Sequence, residues 1–210
     1  RIYSEDRNIW HISHEGGPLE DPALAPQDDV FTLSNTVENA PDQAEVITLT
    51  FNKGIPTHVN GAKLNPIELL TTLNNYGSKH AIGQIDMVEN RLVGIKSRGV
   101  YETPGGAILY EAHQTLEQLV LDRATLSLKQ KMALDYADLV YDGCWFSPAR
   151  EALDAFVKET QKVVTGDVKL KLYKGNIIAA GVNSPHSLYI EDLASFSDTE
   201  LYNQADATGF

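Results

Sequence analysis

The sequence has 210 residues and a formal net charge of −12, because 29 Asp and Glu residues outnumber 17 Lys and Arg residues. With no basic run, it disfavours nucleic-acid binding, since phosphate contacts need clustered Lys and Arg. No apolar run approaches the roughly 18 residues that span a bilayer, so we expect a cytoplasmic protein without membrane association. The single cysteine, Cys144, has no internal disulfide partner and lies beside Trp145, which predicts a buried small side chain.

The first forty residues predict little regular structure. Residues 1–20 are rich in polar side chains, and we interpret them as a loop around a site, because functional residues concentrate on loops. Pro18–Pro41 contains four of the nine prolines and many acidic residues. That composition predicts an extended excursion.

The next segment predicts a hairpin followed by a helix. Val46–Phe51 alternates with apolar residues on one face, Asn52–Gly54 is typical of a turn, and Ile55–Val59 returns. Asn65 then precedes a proline and stands three residues before Glu68, a pattern that predicts a capping box. The predicted apolar stripe of this helix consists of Ile67, Leu70 and Leu73, with Leu69 and Tyr76 flanking it and Gly77 just beyond its end.

The segment Ile85–Tyr110 mixes polar side chains with β-branched and aliphatic ones. Its apolar residues predict strands, which Gly94 and Gly99 interrupt as bulges or close backbone approaches. Thr103-Pro104 then predicts a helix N-terminus. The inward positions of that helix, at helical spacing, are Ile108, Leu109, Ala112, Leu116, Leu119 and Val120.

The remaining chain predicts two helices, a hairpin and a short last helix. The first helix runs from Ser127 or Leu128 to Asp142, and Ser147 caps the second. Val168, Leu170 and Leu172 alternate before a turn at Lys174–Asn176, and Ile177–Val182 returns. The last helix begins at Ser184-Pro185. The predicted inward residues of the three helices are Met132, Tyr136, Leu139 and Val140; Leu153, Phe156, Val157 and Val163; and Leu188, Leu193 and Phe196.

Strands therefore come as hairpins and helices come in runs, with no repeated alternation of strand and helix and no internal repeat. We predict an α+β fold of antiparallel hairpins with packed helices, arranged as two α+β subdomains.

Several long strings in the sequence resemble argininosuccinate synthase. They are Asp86–Arg91, Lys96–Pro104, Trp10–Gly17, Leu170–Gly175 and Asp206–Phe210. The resemblance covers residues 1–210 and implies that they form one domain, the C-terminal synthetase and multimerisation domain of that family. Arg1 in place of an initiator Met agrees with a fragment or a processed product.

The resemblance implies an ATP-dependent ligase that joins citrulline to aspartate and releases AMP and pyrophosphate. ATP, with magnesium, is expected to bind mainly to the family's other half, whose pyrophosphate loop does not occur in these 210 residues. The fragment alone is therefore expected to be inactive and to hold no cofactor. The family also implies a homotetramer and a further helix, after Phe210, that reaches a neighbouring subunit. The alternative is a non-catalytic module, derived from the enzyme, that binds an amino acid or mediates oligomerisation.

For the amino-acid head of citrulline, the resemblance implies four binding residues, and no catalytic residue is assigned. The binding residues are Ser4, Ser13, Glu89 and Tyr101. A carboxylate such as Glu89 suits an ammonium, and hydroxyl groups suit a carboxylate. Without the resemblance, Glu89 would be interpreted as a salt-bridge partner of Arg91, and Tyr101 as a core aromatic residue with a satisfied hydroxyl.

Other polar residues have structural interpretations. Arg98 is predicted to pair with Glu102 rather than to bind substrate. His11 and His14 lack further ligands at metal-binding spacing, so we expect no metal site. Gly105-Gly106 at a helix start could cradle a phosphate, but lacks the Lys-Ser/Thr of a P-loop. Ala81 and Gln84 stand where the family commonly has Gly and Arg, which affects the packing at the entry to the next strand.

Overall fold

A computed structural model describes residues 2–194 of the chain. Within that range nine strands form two antiparallel sheets, and helices accompany them, which confirms the α+β class. The four-stranded sheet has the order β1-β2-β7-β6, with β1 at Ser4–Arg7, β2 at Ile12–Glu15, β6 at Gln84–Asn90 and β7 at Lys96–Glu102. The five-stranded sheet has the order β5-β4-β3-β8-β9, with β3 at Glu45–Asn52, β4 at Ile55–Val59, β5 at Ala62–Lys63, β8 at Gly166–Tyr173 and β9 at Asn176–Asn183.

The main core lies between the five-stranded sheet and two helices, α1 at Pro66–Lys79 and α2 at Pro104–Val120. The predicted alternation is confirmed over Val46–Phe51 in β3 and Val168–Leu172 in β8, because every second side chain there is fully buried. These inward strand residues are Ile47, Leu49, Phe51, Val168, Leu170 and Leu172. Helix α2 buries Ile108, Ala112 and Leu116 against them, as its periodicity predicts.

The N-terminus of α1 is as predicted, but its C-terminus is not. The Asn65 side chain accepts from the backbone N–H of Glu68, and the Glu68 carboxylate accepts from Asn65 N–H, which completes the capping box. The prediction that Ile67 faces inward is wrong, since 68% of it is exposed. Gly77 is not beyond the helix either. It is buried inside α1, where an added Cβ would lie 2.6 Å from Pro104 Cβ, so Gly77 allows α1 and α2 to approach closely.

Helix α1 instead ends at a Schellman motif centred on Ala81. Ile82 N–H donates to the Gly77 carbonyl at 2.9 Å, and Ala81 N–H donates to the Ser78 carbonyl. Ala81 occupies the left-handed region, with φ 58°. An alanine therefore stands where the geometry favours glycine, and this joint leads directly into β6.

The prediction of a loop for residues 1–20 is wrong, because β1 and β2 form a hairpin there. Its polar residues alternate between two faces of a sheet that is only partly buried, so no apolar pattern announces the strands. The excursion at Pro18–Pro41 is confirmed, with short 3₁₀ turns at Gly17–Glu20 and Asp28–Val30. It lies across one face of the four-stranded sheet, where Leu19 and Val30 pack on Val100.

Two further helices form an arm with little buried surface. Helix α3 runs over Arg123–Tyr141, and α4 over Pro148–Thr160. The predicted start of α3 is wrong, because the Asp122 carboxylate caps it by accepting from Ala124 and Thr125 N–H. None of the predicted inward residues on α3 and α4 is fully buried; among the residues of these two helices only Arg150 is buried.

The predicted start of the last helix at Ser184-Pro185 is wrong. Within residues 2–194 it covers only Glu191–Ala194, and the chain from Ser184 to Ile190 is irregular. Phe196 lies outside the described residues. Cys144 is half-buried rather than buried. Among the described helices, none has both the length and the apolar character needed to cross a bilayer.

Candidate functional site

The structure brings the four candidate residues onto one face of the four-stranded sheet. In the antiparallel register, Ser13 pairs with Tyr101, and Glu89 pairs with Ser97, two positions from Gly99 and four from Tyr101. Ser4 pairs with Glu15, two positions from Ser13. Side chains of paired residues, and of residues two apart, point to the same side. We call this side the open face; it carries Ser4, Asp6, Ser13, Glu15, Ile85, Met87, Glu89, Ser97, Gly99 and Tyr101.

Tyr101 and Glu89 are the centre of the open face. The Tyr101 hydroxyl donates a short hydrogen bond to Glu89 Oε1. Partial burial raises the pKa of Tyr101, and its hydrogen bond to the Glu89 carboxylate raises that pKa further. At neutral pH the pair is therefore a phenol that donates to a carboxylate. The hydroxyl of Tyr101 has a hydrogen-bond partner, as expected for a structural role. That partner is Glu89, which the family resemblance assigns to the same substrate site.

The pairing of Glu89 with Arg91, which the structural interpretation of Glu89 would require, is not found. Arg91 lies instead 3.7 Å from Glu15 Oε2 and donates to Ser97 Oγ at 3.4 Å. These contacts place a cation at the border of the open face and leave the second oxygen of Glu89 available to a ligand. No motif or spacing in the sequence marks Glu15 or Ser97 as site residues. Only the strand register reveals them, since they share the face with Ser13 and Tyr101.

The two serines differ in accessibility. Ser4 is exposed, whereas Ser13 is only 8% exposed and its hydroxyl lies 3.5 Å from the Asp6 carbonyl. His11 packs edge-on against Tyr101, with 6.0 Å between the ring centroids. The turn between β1 and β2 thus closes one end of the open face.

The opposite face of the same sheet is structural. Arg98 does not pair with Glu102, as predicted; it forms a two-pronged ion pair with Asp86, at 2.8 and 2.7 Å. Its guanidinium also donates to the carbonyls of Leu19, Asp21 and Leu24. Arg98 is available for this because it lies on the covered side of β7, next to the Pro18–Pro41 excursion. The Arg98 guanidinium lowers the pKa of Asp86.

Glu102 anchors the same excursion from the end of β7. Its carboxylate is fully buried and accepts from the backbone N–H groups of Thr32, Leu33 and Ser34, and from the Ser34 hydroxyl at 2.7 Å. His14 Nε2 lies 2.8 Å from the other side of that carboxylate. Glu102 therefore fixes the excursion to the sheet directly behind the open face.

A cleft of about 490 Å³ also lies on this covered side, at the edge of β1. It is lined by Ile2, Tyr3, Glu5, Arg7, Ile12, Asp29 and Thr32. None of the four candidate residues lines it. The cleft therefore lies on the covered face, whereas the convergent polar groups of the four candidate residues lie on the open face.

The glycine pair at the start of α2 has a packing role. Gly105 N–H donates to Asn74 Oδ1 at 2.9 Å, and Asn74 Nδ2 donates to the Ile9 carbonyl. An added Cβ on Gly106 would lie 2.8 Å from the Trp10 ring. Asn74 and Trp10 thus join the first turn of α2 to the β1–β2 turn, and a phosphate would have to displace them.

Within residues 2–194 there is no group of three or more His, Cys, Asp or Glu side chains that could hold a metal ion. His14 contacts Glu102 and Glu5 instead, and His11 packs on Tyr101. The open face offers an oriented carboxylate, hydroxyl groups and a bordering arginine. Such groups bind and orient a zwitterion by hydrogen bonds and ion pairs.

Comparison with known proteins identifies the family. The model of the arginosuccinate synthase C-terminal domain matches residues 3–210. The chain belongs to the argininosuccinate synthase family. The argininosuccinate synthase of Carboxydothermus hydrogenoformans is 62% identical over 208 residues, and that of Desulfitobacterium hafniense strain DCB-2 is 63% identical over 210 residues. That of Clostridium perfringens strain 13 is 60% identical over 209 residues.

These alignments cover 99–100% of the chain but only 52% of each of these three relatives. The chain therefore spans about half the length of the argininosuccinate synthases that it matches. The family match agrees with the expected correspondence to a C-terminal part. The open face belongs to that part, together with Glu89 and Tyr101.

Proposed function

We propose that this chain forms the C-terminal half of an argininosuccinate synthase and that its open face holds citrulline. The intact enzyme would be the ATP-dependent ligase that condenses citrulline with aspartate and releases AMP and pyrophosphate. The observation that carries the proposal is the hydrogen bond between Tyr101 and Glu89 on a face that also presents Ser4 and Ser13.

Each residue has a role that suits its chemistry. The Glu89 carboxylate receives the substrate ammonium, because an ion pair with hydrogen bonds suits two opposite charges at short range. Tyr101 donates to one oxygen of Glu89 and so fixes the direction of the other. The Ser4 and Ser13 hydroxyls bind the substrate carboxylate. These groups bind and orient the substrate, and orientation of two substrates and a nucleotide supplies much of the rate of such a ligation.

ATP and magnesium would bind to the other half of the enzyme. The 210-residue chain has a net charge of −12 and no P-loop sequence, and the glycines that start α2 are occupied by Asn74 and Trp10. We expect the isolated chain to be inactive and to show no micromolar ATP binding by calorimetry. Tight ATP binding by the isolated chain would contradict the location of the nucleotide site. A chain whose natural form has no nucleotide-binding half would support the alternative of a non-catalytic module.

A cytoplasmic location is part of the same proposal, because the substrates of this ligase are small soluble metabolites. Neither a membrane nor a nucleic acid would be a partner.

The test of the citrulline site is Glu89→Gln in the full-length synthase. Loss of the carboxylate charge should raise the citrulline KM about 10- to 100-fold, the effect of one charge-assisted hydrogen bond. The ATP KM should change less than about twofold, since the nucleotide lies elsewhere. Glu20→Gln is the matched control, because it removes an equal charge from an exposed position on the excursion. Equal effects of Glu89→Gln on both KM values would contradict the assignment.

We also propose that the intact protein is a homotetramer and that the α3–α4 arm contributes to its contacts. Helix α3 has no buried residue and exposes 71% of Leu134 and 62% of Tyr141, and Phe146 beside it is 88% exposed. Exposed apolar groups on one arm favour an interface. Leu134→Asp should reduce the mass measured by sedimentation of the intact protein, whereas Gln130→Asp, at an exposed polar position of the same helix, should not. An unchanged tetramer would place the interface elsewhere.

A further inference from the structure

The backbone conformation at position 99 does not require glycine. It lies in the interior of β7 and pairs with Met87 of β6. Its φ is not among the positive values found at Gly83 and Gly94. Glycine in a strand interior weakens the strand, because it loses more conformational freedom on folding than other residues. A side chain at this position would therefore suit the backbone better than none.

Position 99 is glycine because of the direction in which the Tyr101 side chain extends. Tyr101 pairs with Ile85 on β6, whereas Glu89 pairs with Ser97. Tyr101 and the Glu89–Ser97 pair are thus four residues apart along the strands, which corresponds to about 13 Å at roughly 3.3 Å per residue. Tyr101 can reach Glu89 only if its ring lies along β7, directly above the residue between them. That residue is Gly99.

The space above Gly99 is filled by this ring. A Cβ added to Gly99 would lie 2.8 Å from Tyr101 Cε2, 2.9 Å from Cζ and 2.9 Å from the hydroxyl oxygen. These nearest atoms all belong to Tyr101. At Gly77 and Gly83, by contrast, the nearest atoms include those of a rigid backbone. We propose that Gly99 is a positioning residue of the substrate site, which keeps the surface of β7 free so that Tyr101 can lie flat and donate to Glu89.

The consequence for binding rests on the proposed function. A methyl group at position 99 lifts the ring of Tyr101 and breaks its hydrogen bond to Glu89. Glu89 then loses the contact that orients it, and its remaining oxygen no longer faces the substrate ammonium in one fixed direction. The backbone gain from replacing glycine is of the same size as the cost of the lost hydrogen bond, so stability should change little while binding weakens.

The first test measures the ionisation of Tyr101 in the 210-residue chain and needs no substrate. Ultraviolet titration of the parent chain minus that of Tyr101→Phe isolates Tyr101 among the nine tyrosines. The same difference is measured between Gly99→Ala and the double variant Gly99→Ala/Tyr101→Phe. Burial and the bond to Glu89 raise the pKa of Tyr101 in the parent, so loss of that geometry should move it back towards the ordinary value of about 10. An unchanged ionisation of Tyr101 in Gly99→Ala would overturn the proposal.

The second test measures citrulline binding to the full-length synthase by the same four variants. Gly99→Ala should weaken binding about tenfold when Tyr101 is present, the loss expected for one charge-assisted hydrogen bond. In the Tyr101→Phe background it should have almost no further effect, because the bond is already missing. An equal loss in both backgrounds would show that Gly99 acts in another way. The midpoint of urea unfolding should change little in Gly99→Ala, which distinguishes positioning from a general loss of structure.

The two proposals fail separately. If the full-length parent protein binds no citrulline, the proposed function is wrong, and the ionisation of Tyr101 still decides whether Gly99 positions that ring. If the parent binds citrulline but Gly99→Ala leaves both ionisation and binding unchanged, the assignment of Gly99 is wrong and the proposed function stands.

Discussion

In both sheets, successive side chains point to opposite faces, but the two sheets differ in which faces are apolar and which are polar. In the five-stranded sheet, alternate residues of β3 from Ile47 to Phe51 and of β8 from Val168 to Leu172 are apolar and fully buried under α1 and α2. In the four-stranded sheet, both faces carry polar groups. Those of the covered face, such as Arg98 and Glu102, bind the Pro18–Pro41 excursion, and those of the open face include the four candidate site residues.

This difference shows which parts of the molecule stabilise the fold and which part can present polar groups without destabilising it. A sheet with an apolar interior face is stabilised by burial, which is proportional to area and needs no particular partner. A sheet with buried polar groups requires a partner for each of them, because an unpaired buried group is costly. On the covered face of the four-stranded sheet, the charged groups of Arg98 and Glu102 find their partners within the chain. The open face can therefore present a carboxylate and hydroxyl groups without loss of the fold.

The largest expected effect tests the apolar core. Leu170→Ala in β8 removes a fully buried side chain and should lower the free energy of unfolding by about 2–5 kcal/mol, measured by urea denaturation. Ile178→Ala in the neighbouring strand β9 is the control, since 42% of that side chain is exposed, and it should cost less than about 1 kcal/mol. Similar losses for both variants would mean that β9 is covered in solution.

A smaller effect is expected from the polar anchor of the covered face. Glu102→Gln keeps the shape of the side chain but places an amide group where one carboxylate oxygen accepts from Thr32 N–H and contacts His14. A buried donor is left unpaired, so the free energy of unfolding should fall by about 1–3 kcal/mol. Glu159→Gln, at an exposed position of α4, should change it by less than about 0.5 kcal/mol. If Glu102→Gln matched that control, the excursion would not depend on the carboxylate.

The same contrast explains what the sequence could predict. The five-stranded sheet follows from periodicity and turn residues alone, because burial of an apolar face leaves a repeating signal. The β1–β2 hairpin leaves none, because its polar residues point to a buried network on one side and to the open face on the other. The pairing of Arg98 with Asp86 could not be predicted either, since the excursion that covers it is distant in sequence.

The candidate residues themselves came from the family resemblance and not from periodicity. That they share one face follows only from the register of β1, β2, β7 and β6. This register includes the β1–β2 hairpin, which the sequence pattern does not predict. Helix α3 shows the opposite limit. Spacing predicts an inward side for α3, and that side packs on α4, but within residues 2–194 none of the α3 side chains is fully buried.

A still smaller effect is expected at Ala81, in the connection between α1 and β6. Ala81 adopts a left-handed conformation that costs a non-glycine residue about 1–2 kcal/mol. Ala81→Gly removes that cost but also a buried methyl group, so the free energy of unfolding should change by less than about 1 kcal/mol. Ala112→Gly, fully buried in the interior of α2, has no such compensation and should lose about 1–2 kcal/mol in urea denaturation. Equal losses would show that the joint relaxes in solution.

The smallest effect at neutral pH is expected on the open face, and it should change with pH. Tyr101 is only partly buried, so Tyr101→Phe should lower the free energy of unfolding at pH 7 by less than about 1 kcal/mol.

The folded state raises the pKa of Tyr101 above the value of about 10 in the unfolded chain, through burial and the bond to Glu89. Below pH 10 both states keep the proton, and the contribution of the hydroxyl is complete. Above pH 10 the unfolded chain releases the proton first, which favours unfolding. The stability advantage of the parent over Tyr101→Phe should therefore be constant below about pH 9 and should decline as the pH rises above about 10 in urea denaturation. Tyr110→Phe, which removes the hydroxyl of a 70% exposed residue, is the matched control. A difference between the parent and Tyr101→Phe that stays constant as the pH rises above about 10 would mean that the phenol–carboxylate pair does not persist in solution, and the site would then lack its fixed carboxylate.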